Sequence, residues 1–290
     1  MACVRIEEYS DQVEEAARAY GLSTPQLIQR DARRTESPQR WLAYEGGEMV
    51  GVATAWLRPD GRMFLSFGCP NLGAFRSLSI ELARRLSRPL YVSVHGDDTR
   101  MIAGLLHGGY SAEVVAEKFD VGFNPVLRLV GRTVPPSRFA VIPASSADVE
   151  SLSDLDNELR QLVPGSEGWH ADSDWVRAEL EESPPFDPAS YLVGVAPDGS
   201  YAGLARIWRN PEGPRFGLVA VKPAYRMTRL GPALIAGVLR AASKWGFDTF
   251  TTETSIGNRH IHPRLHRLGA RSTGYVYQFV FESEPSGESG

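Results

Sequence analysis

Cysteine is nearly missing from this chain of 290 residues: Cys3 and Cys69 are the only two. Two thiols cannot build a disulfide framework, which excludes the small stapled class of secreted domain and points to a reducing compartment. Lysine is scarce as well. Lys118, Lys222 and Lys244 stand beside 28 arginines, a bias that reads as the codon preference of a GC-rich genome. Long apolar runs are absent, and nothing approaches the roughly 20 residues that span a membrane. The opening MACVRIEEYSDQVEE has no basic-then-apolar pattern, so a cytoplasmic location is expected. No excess of positive charge exists either. The net charge of −4 argues against general nucleic-acid binding. What remains is 42% apolar and 23% charged, an ordinary globular composition, and the length suggests two domains.

A repeat supports two domains. The segment Gly47–Phe64 lines up without gaps on Gly199–Phe216 at a constant offset of 152, with seven of 18 positions identical. The shared residues are Gly47, Gly51, Ala53, Trp56, Pro59, Gly61 and Phe64, against Gly199, Gly203, Ala205, Trp208, Pro211, Gly213 and Phe216. Beyond them the copies part. The second runs through Val221-Lys-Pro-Ala-Tyr-Arg-Met-Thr-Arg-Leu-Gly231 into a helix, whereas the first has only Cys69-Pro-Asn-Leu-Gly73. Anchored on Pro70 and Pro223, the first loop is five residues shorter and holds no cation. One working site and one structural copy are expected.

Periodicity gives the first half the order β-α-α-β-β-β-α-β-α-β, with a hairpin at Glu45-Gly-Gly and an amphipathic helix over 74–86. Residues 124–137, with three prolines, read as a linker. The second half repeats the order. It has helices at 146–162, capped by Ser145 or Ser146, at 172–182 and at 229–245, then a short one over 262–268 that ends at Gly269. Strands are expected at 139–142, 191–195, 201–208, 215–221, 249–254 and 272–281. The domains fall at 1–123 and 138–283, and the tail 284–290 has a disordered composition.

The loop Arg226-Met227-Thr228-Arg229-Leu230-Gly231 lies between a strand and a helix. Free N–H groups and the dipole of a first helical turn favour an anion, Gly231 permits close approach, and two arginines neutralise charge. The loop reads as a pyrophosphate cradle or, more plainly, as a surface turn. Its setting decides between them. The order strand, Val221-x-Pro223-x-Tyr225-Arg226, helix with Ala233-Leu234, strand, Asn258, helix ending Leu268-Gly269 resembles the GNAT family of N-acetyltransferases. The resemblance implies an α/β (α+β) fold of two tandem GNAT domains, each a mixed, centrally splayed sheet flanked by helices, the first degenerate. It implies that acetyl-CoA binds through the backbone of Val219, Ala220 and Val221, the loop Arg226–Gly231 with Pro232 and Ala233, and Asn258. It also implies that the Val221 N–H faces the thioester oxygen. Arg229 stands where the family usually has Gly.

Acetyl transfer needs a base for the amine, a donor for the oxyanion and an acid for the thiolate. The strand before the loop lacks the family's usual Glu, and Leu265 occupies its usual Tyr position. Glu253 is the candidate base and His266 a candidate acid or base. Tyr275 and Tyr277 fit packing better than catalysis. Asp156, Glu158 and Arg160 border the expected acceptor pocket. Trp169 beside Asp172 suits a cationic amine, and equally a Trp that caps the core. Of these, Glu158, Trp169 and Asp172 are the expected substrate contacts. His260, His262 and His266 lack interleaved carboxylates or Cys, so no metal is expected. In the first copy Asp97 or Asp98 stands near the Asn258 position, so no CoA is expected there. The expected protein transfers acetyl from acetyl-CoA to the amine of a small polar molecule, as a monomer or homodimer, without nucleic acid or membrane. An acyl-CoA-binding sensor and a protein N-acetyltransferase are the alternatives.

Overall fold

The computed structural model describes residues 4–31, 39–69, 71–181, 187–210 and 212–282, and the expected tail 284–290 lies outside them. The chain divides into two compact units, residues 1–115 with 275–290, and residues 116–274.

In the first unit the elements are β1 (Arg5–Glu8), α1 (Val13–Ala19), α2 (Thr24–Asp31), β2 (Gln39–Glu45), β3 (Glu48–Leu57), β4 (Met63–Gly68), α3 (Leu72–Leu86), β5 (Leu90–His95) and α4 (Thr99–His107). Then β6 (Ser111–Gly122) leads out of the unit. Gly46 and Gly47, with φ of 60° and 88°, close the β2–β3 hairpin, a turn that needs positive φ at both central residues. Ala74, Phe75, Leu78 and Leu82 recur at helical spacing on α3 and are buried against the sheet. Strands β4 and β5 are parallel but share only the pairs Met63–Leu90 and Phe64–Tyr91 before they part.

The second unit repeats this plan. After β6 come α5 (Phe123–Val130), β7 (Ala140–Pro143), α6 (Val149–Arg160), α7 (Ser173–Glu181), β8 (Tyr191–Val195), β9 (Tyr201–Asn210) and β10 (Gly213–Val221). Helix α8 (Leu230–Ala242), β11 (Thr249–Ser255), α9 (His262–Arg267) and β12 (Arg271–Phe281) follow. Within the unit the strands run β6-β11-β10-β9-β8-β7, all antiparallel except β10 with β11. One face of this sheet packs on α5, α8 and α9 through residues such as Phe119, Phe250 and Leu234. The other packs on α6 and α7 through Leu152, Leu155, Val193 and Leu204.

Three details depart from the sequence reading. The segment 124–137 is not all linker: α5 buries Phe123, Val126 and Val130, an amphipathic stripe that the flanking prolines obscure. Helix α6 is capped by Asp148, which accepts from the Ser151 N–H, because residues 144–146 form a separate 3-10 turn. The boundary also differs from a simple cut near residue 123. Ala116–Gly122 of β6 pair with β11 in the second unit, while Val276–Phe281 of β12 pair with β5 in the first. Each unit therefore needs a strand from the far half of the sequence.

Candidate active site

The site of the second unit starts from an irregularity in β10. Phe216 pairs with Ile207 and Val219 with Ala205, so Gly217 and Leu218 together oppose the single residue Arg206. This is a β-bulge, which bends the strand that carries it. Pairing of β10 with β11 stops at the same point, after Arg215–Thr251 and Phe216–Thr252. The Thr252 hydroxyl donates to the Phe216 carbonyl at 3.3 Å and seals the last rung. Beyond it β10 pairs with β9 alone.

The direction of the free backbone groups follows from register. The Lys222 N–H donates to the Ala202 carbonyl at 2.8 Å, so the pairs 222–202 and 220–204 are the hydrogen-bonded ones. Antiparallel pairs alternate. Val219 and Val221 therefore turn their N–H and C=O groups away from β9, toward the gap that β11 has left.

At the end of β10 a 3-10 turn (Pro223–Tyr225) leads to the α8 N-terminus. The Thr228 hydroxyl donates to the Tyr225 carbonyl at 2.7 Å and accepts from the Leu230 N–H at 3.2 Å. The N-cap residue Arg229 makes no side-chain cap. The N–H groups of Met227, Arg229 and Gly231 make no hydrogen bond among the described residues, and neither Arg226 nor Arg229 has an ionic partner there. Met227 is 98% exposed at the loop tip. Leu230 and Ala233 are buried and anchor the helix, while Pro232 sits in its first turn, where no N–H is needed. Two uncompensated cations beside three uncommitted N–H groups form an anion receptor. Asn258 is half-buried in the turn after β11, its N–H on the Ser255 carbonyl at 2.8 Å.

On the α6–α7 side, a shallow recess open to solvent reaches Leu218 of the bulge. Its walls carry two ion pairs. Asp156 accepts from Arg160 Nε, and Glu179 from an Arg206 terminal nitrogen, each at 2.6 Å. Arg206 lies between the Tyr191 and Trp208 rings, 5.0 and 4.6 Å from their centres. Burial pushes the Tyr191 phenol well above its ordinary range, so it stays protonated. The Trp208 indole in turn covers Gly217, where a Cβ would lie 1.9 Å from a ring carbon.

The expected site residues fall into place unevenly. Glu253 lies on the α6–α7 side of β11, since Phe250, Thr252 and Thr254 face the other way, and it pairs with Arg215 at 3.1 Å. His266 is exposed on α9 at the edge of Phe119, on the α8 side, so the structure gives it no face in common with Glu253. Glu158 pairs with Lys222 at 2.8 Å. Asp172 caps α7, accepting from the Trp175 N–H at 2.8 Å. Trp169 is buried under the Arg160 guanidinium and against Trp175, so it supports the wall and does not line it. Sequence reading missed Tyr191, Arg206, Glu179 and Trp175. The one signal was Arg206, an arginine at an inward position of the apolar run Tyr201–Trp208. Among the described residues no three metal-ligating groups converge.

The first unit lacks these devices. Strands β3 and β4 pair from Val52–Gly68 to Leu57–Met63 without a bulge. After β4, Cys69 is buried, and the exposed Asn71 side chain accepts from the Gly73 N–H at 2.8 Å.

A mixed sheet opened between two parallel strands, with a bulged strand that leads into a helix whose N-cap residue makes no side-chain cap, defines a class of α/β domain. Residues 151–270, most of the second unit, match the model of the acetyltransferase (GNAT) family. The whole chain has the corresponding tandem fold. It resembles a tandem GNAT protein of the clavulanic acid biosynthesis pathway, with a TM-score of 0.69 and 15% identity over 98% of this chain and 100% of that one. It also resembles a GCN5-related N-acetyltransferase from Sphaerobacter thermophilus, with a TM-score of 0.59 and 14% identity over 97% and 96%. A third similar structure is a putative acetyltransferase from Pyrococcus horikoshii, with a TM-score of 0.57 and 11% identity over 97% and 91%. No curated protein matches the chain in sequence.

Proposed function

We propose that the second unit is an acetyl-CoA-dependent N-acetyltransferase acting on the amine of a small polar molecule by direct transfer, and that the first unit binds no CoA. The observation that carries this reading is the uncommitted anion receptor at the start of α8. It continues directly from the strand whose Val219 and Val221 groups face the open gap. Bound acetyl-CoA would supply an activated thioester. Arg226, Arg229 and the N–H groups of Met227, Arg229 and Gly231 hold its pyrophosphate. Val219 and Val221 pair with its amide-bearing arm as an added strand does, and Asn258 reaches the same arm.

The amine enters from the recess on the α6–α7 side. The Val221 N–H donates to the oxygen on which negative charge develops. Glu253 accepts the amine's proton, and its pairing with Arg215 orients the carboxylate. Holding amine and thioester in register supplies much of the acceleration. His266 takes no part, since it lies on the other face of the sheet.

The test is the pH dependence of acetyl transfer by Glu253→Gln against wild type. Loss of a base depresses kcat/KM most near neutral pH, where the amine is protonated, and least at alkaline pH. An equal loss at every pH assigns Glu253 to structure. The buried Leu265 at the family's usual acid position favours a second reading, an acyl-CoA sensor. Binding of acetyl-CoA without turnover of any amine supports that one.

A further inference from the structure

Resting on this acetyltransferase reading, we infer that the acceptor carries a carboxylate as well as an amine, and that Arg160 holds the carboxylate. The charges of the recess balance: Asp156 and Glu179 against Arg160 and Arg206. A bare polycation gains no net attraction there, and a bare anion gains none either. The two arginines differ in how far they are committed. Arg206, 9% exposed, spends its terminal nitrogens on the Glu179 carboxylate at 2.6 Å and the Glu179 main-chain carbonyl at 3.2 Å.

Arg160 is engaged only through Nε, by Asp156, and its two terminal nitrogens have no partner among the described residues. Its plane is nevertheless fixed. Asp156, only 6% exposed, grips one edge, and the Trp169 ring lies 4.1 Å beneath the guanidinium. A guanidinium held by one edge and one face presents its remaining edge as a two-donor fork, the geometry that matches a carboxylate. Val176, Leu204 and Leu218 add an apolar floor that leads from Arg160 toward the bulge. A ligand with its carboxylate on Arg160 thus extends its amine toward the gap beside β10. An amino carboxylic acid fits this pattern.

The test uses wild-type protein with acetyl-CoA and three matched sets of compounds: the L-amino acids, their α-amides, and the amines left by their decarboxylation. Binding is followed by thermal shift and turnover by thiol release. The expected result is that the best acceptor is an acid, and that its amide and amine are about 10- to 100-fold poorer in kcat/KM, the effect of losing a charge-assisted contact. Arg160→Gln should raise KM for that acid, bring the acid-to-amide ratio close to one, and leave acetyl-CoA affinity unchanged. Arg160→Lys should restore part of the preference.

The inference is overturned if amides or amines bind and react as well as the acids, or if no carboxylate compound binds while acetyl-CoA does. It is also overturned if the folded Arg160→Gln protein keeps the wild-type ratio. Failure of acetyl-CoA itself to bind overturns the acetyltransferase reading instead. The wild-type comparison stands even if the Arg160 variants do not fold.

Discussion

Gly217→Ala should be costly, and for a nameable reason. A Cβ there would lie 1.9, 2.3 and 2.9 Å from three carbons of the Trp208 indole. Unbonded carbons sit at about 3.5–4.0 Å. The ring must therefore retreat by well over an ångström, which disturbs its contacts with the guanidinium groups of Arg206 and Arg215, 4.6 and 5.4 Å from its centre. The φ of Gly217 is not positive, so alanine meets no backbone penalty and the clash is the whole effect. Overpacking of this kind costs about 1–3 kcal/mol. In a domain of this size, each kcal/mol lowers the melting temperature by roughly 2–4 °C.

The assay is a double-mutant cycle followed by urea unfolding: Gly217→Ala, Trp208→Leu and the pair. With the indole gone the added methyl has room, so the cost of Gly217→Ala should nearly vanish in the Trp208→Leu background. A cost that is the same in both backgrounds would refute the placement of Trp208 over the bulge, and with it this wall of the acceptor recess.

Three further outcomes are expected. Arg226→Ala should weaken acetyl-CoA binding about tenfold by deleting one charge-assisted phosphate contact, and added salt should shrink the difference; calorimetry reads both. In a Cys3→Ser background, Cys69 should not react with a disulfide reagent at pH 8 until the protein unfolds, because burial pushes its thiol up to about 12. The sign follows. The unfolded thiol ionises near its ordinary value and the folded one does not, so this residue's contribution to stability is present below pH 9 and is lost as pH rises toward 12. Phe279→Ala should cost about 3–5 kcal/mol as a cavity in the first unit, although it lies near the end of the chain, and hydrogen exchange should show the loss in β5 and β4.

Most of the fold was legible in the sequence because it is written locally. Leu78 and Leu82, or Phe250, Thr252 and Thr254, reveal their faces through spacing alone. The anion loop was legible too, since arginines beside a helix start have meaning without a partner. What stayed hidden depends on pairing across long separations. Nothing in Tyr275–Phe281 says that its hydrogen bonds go to β5. The bulge was marked only by Gly217, a glycine inside a strand. The acceptor wall was half visible. Asp156 and Arg160 lie on one helix, but Tyr191, Arg206 and Glu179 come from three elements that only folding brings together. Trp169 and Asp172 misled because an aromatic beside an acid suits both a binding site and a helix cap, and here the acid is the cap.

The most direct measurement is calorimetric titration of the whole chain with acetyl-CoA. One site per chain, weakened by Arg226→Ala and indifferent to changes in the Cys69–Gly73 loop, is the predicted result. Two sites, or one that survives loss of both Arg226 and Arg229, would contradict the assignment of the cofactor to the second unit, and no binding would contradict the acetyltransferase reading itself.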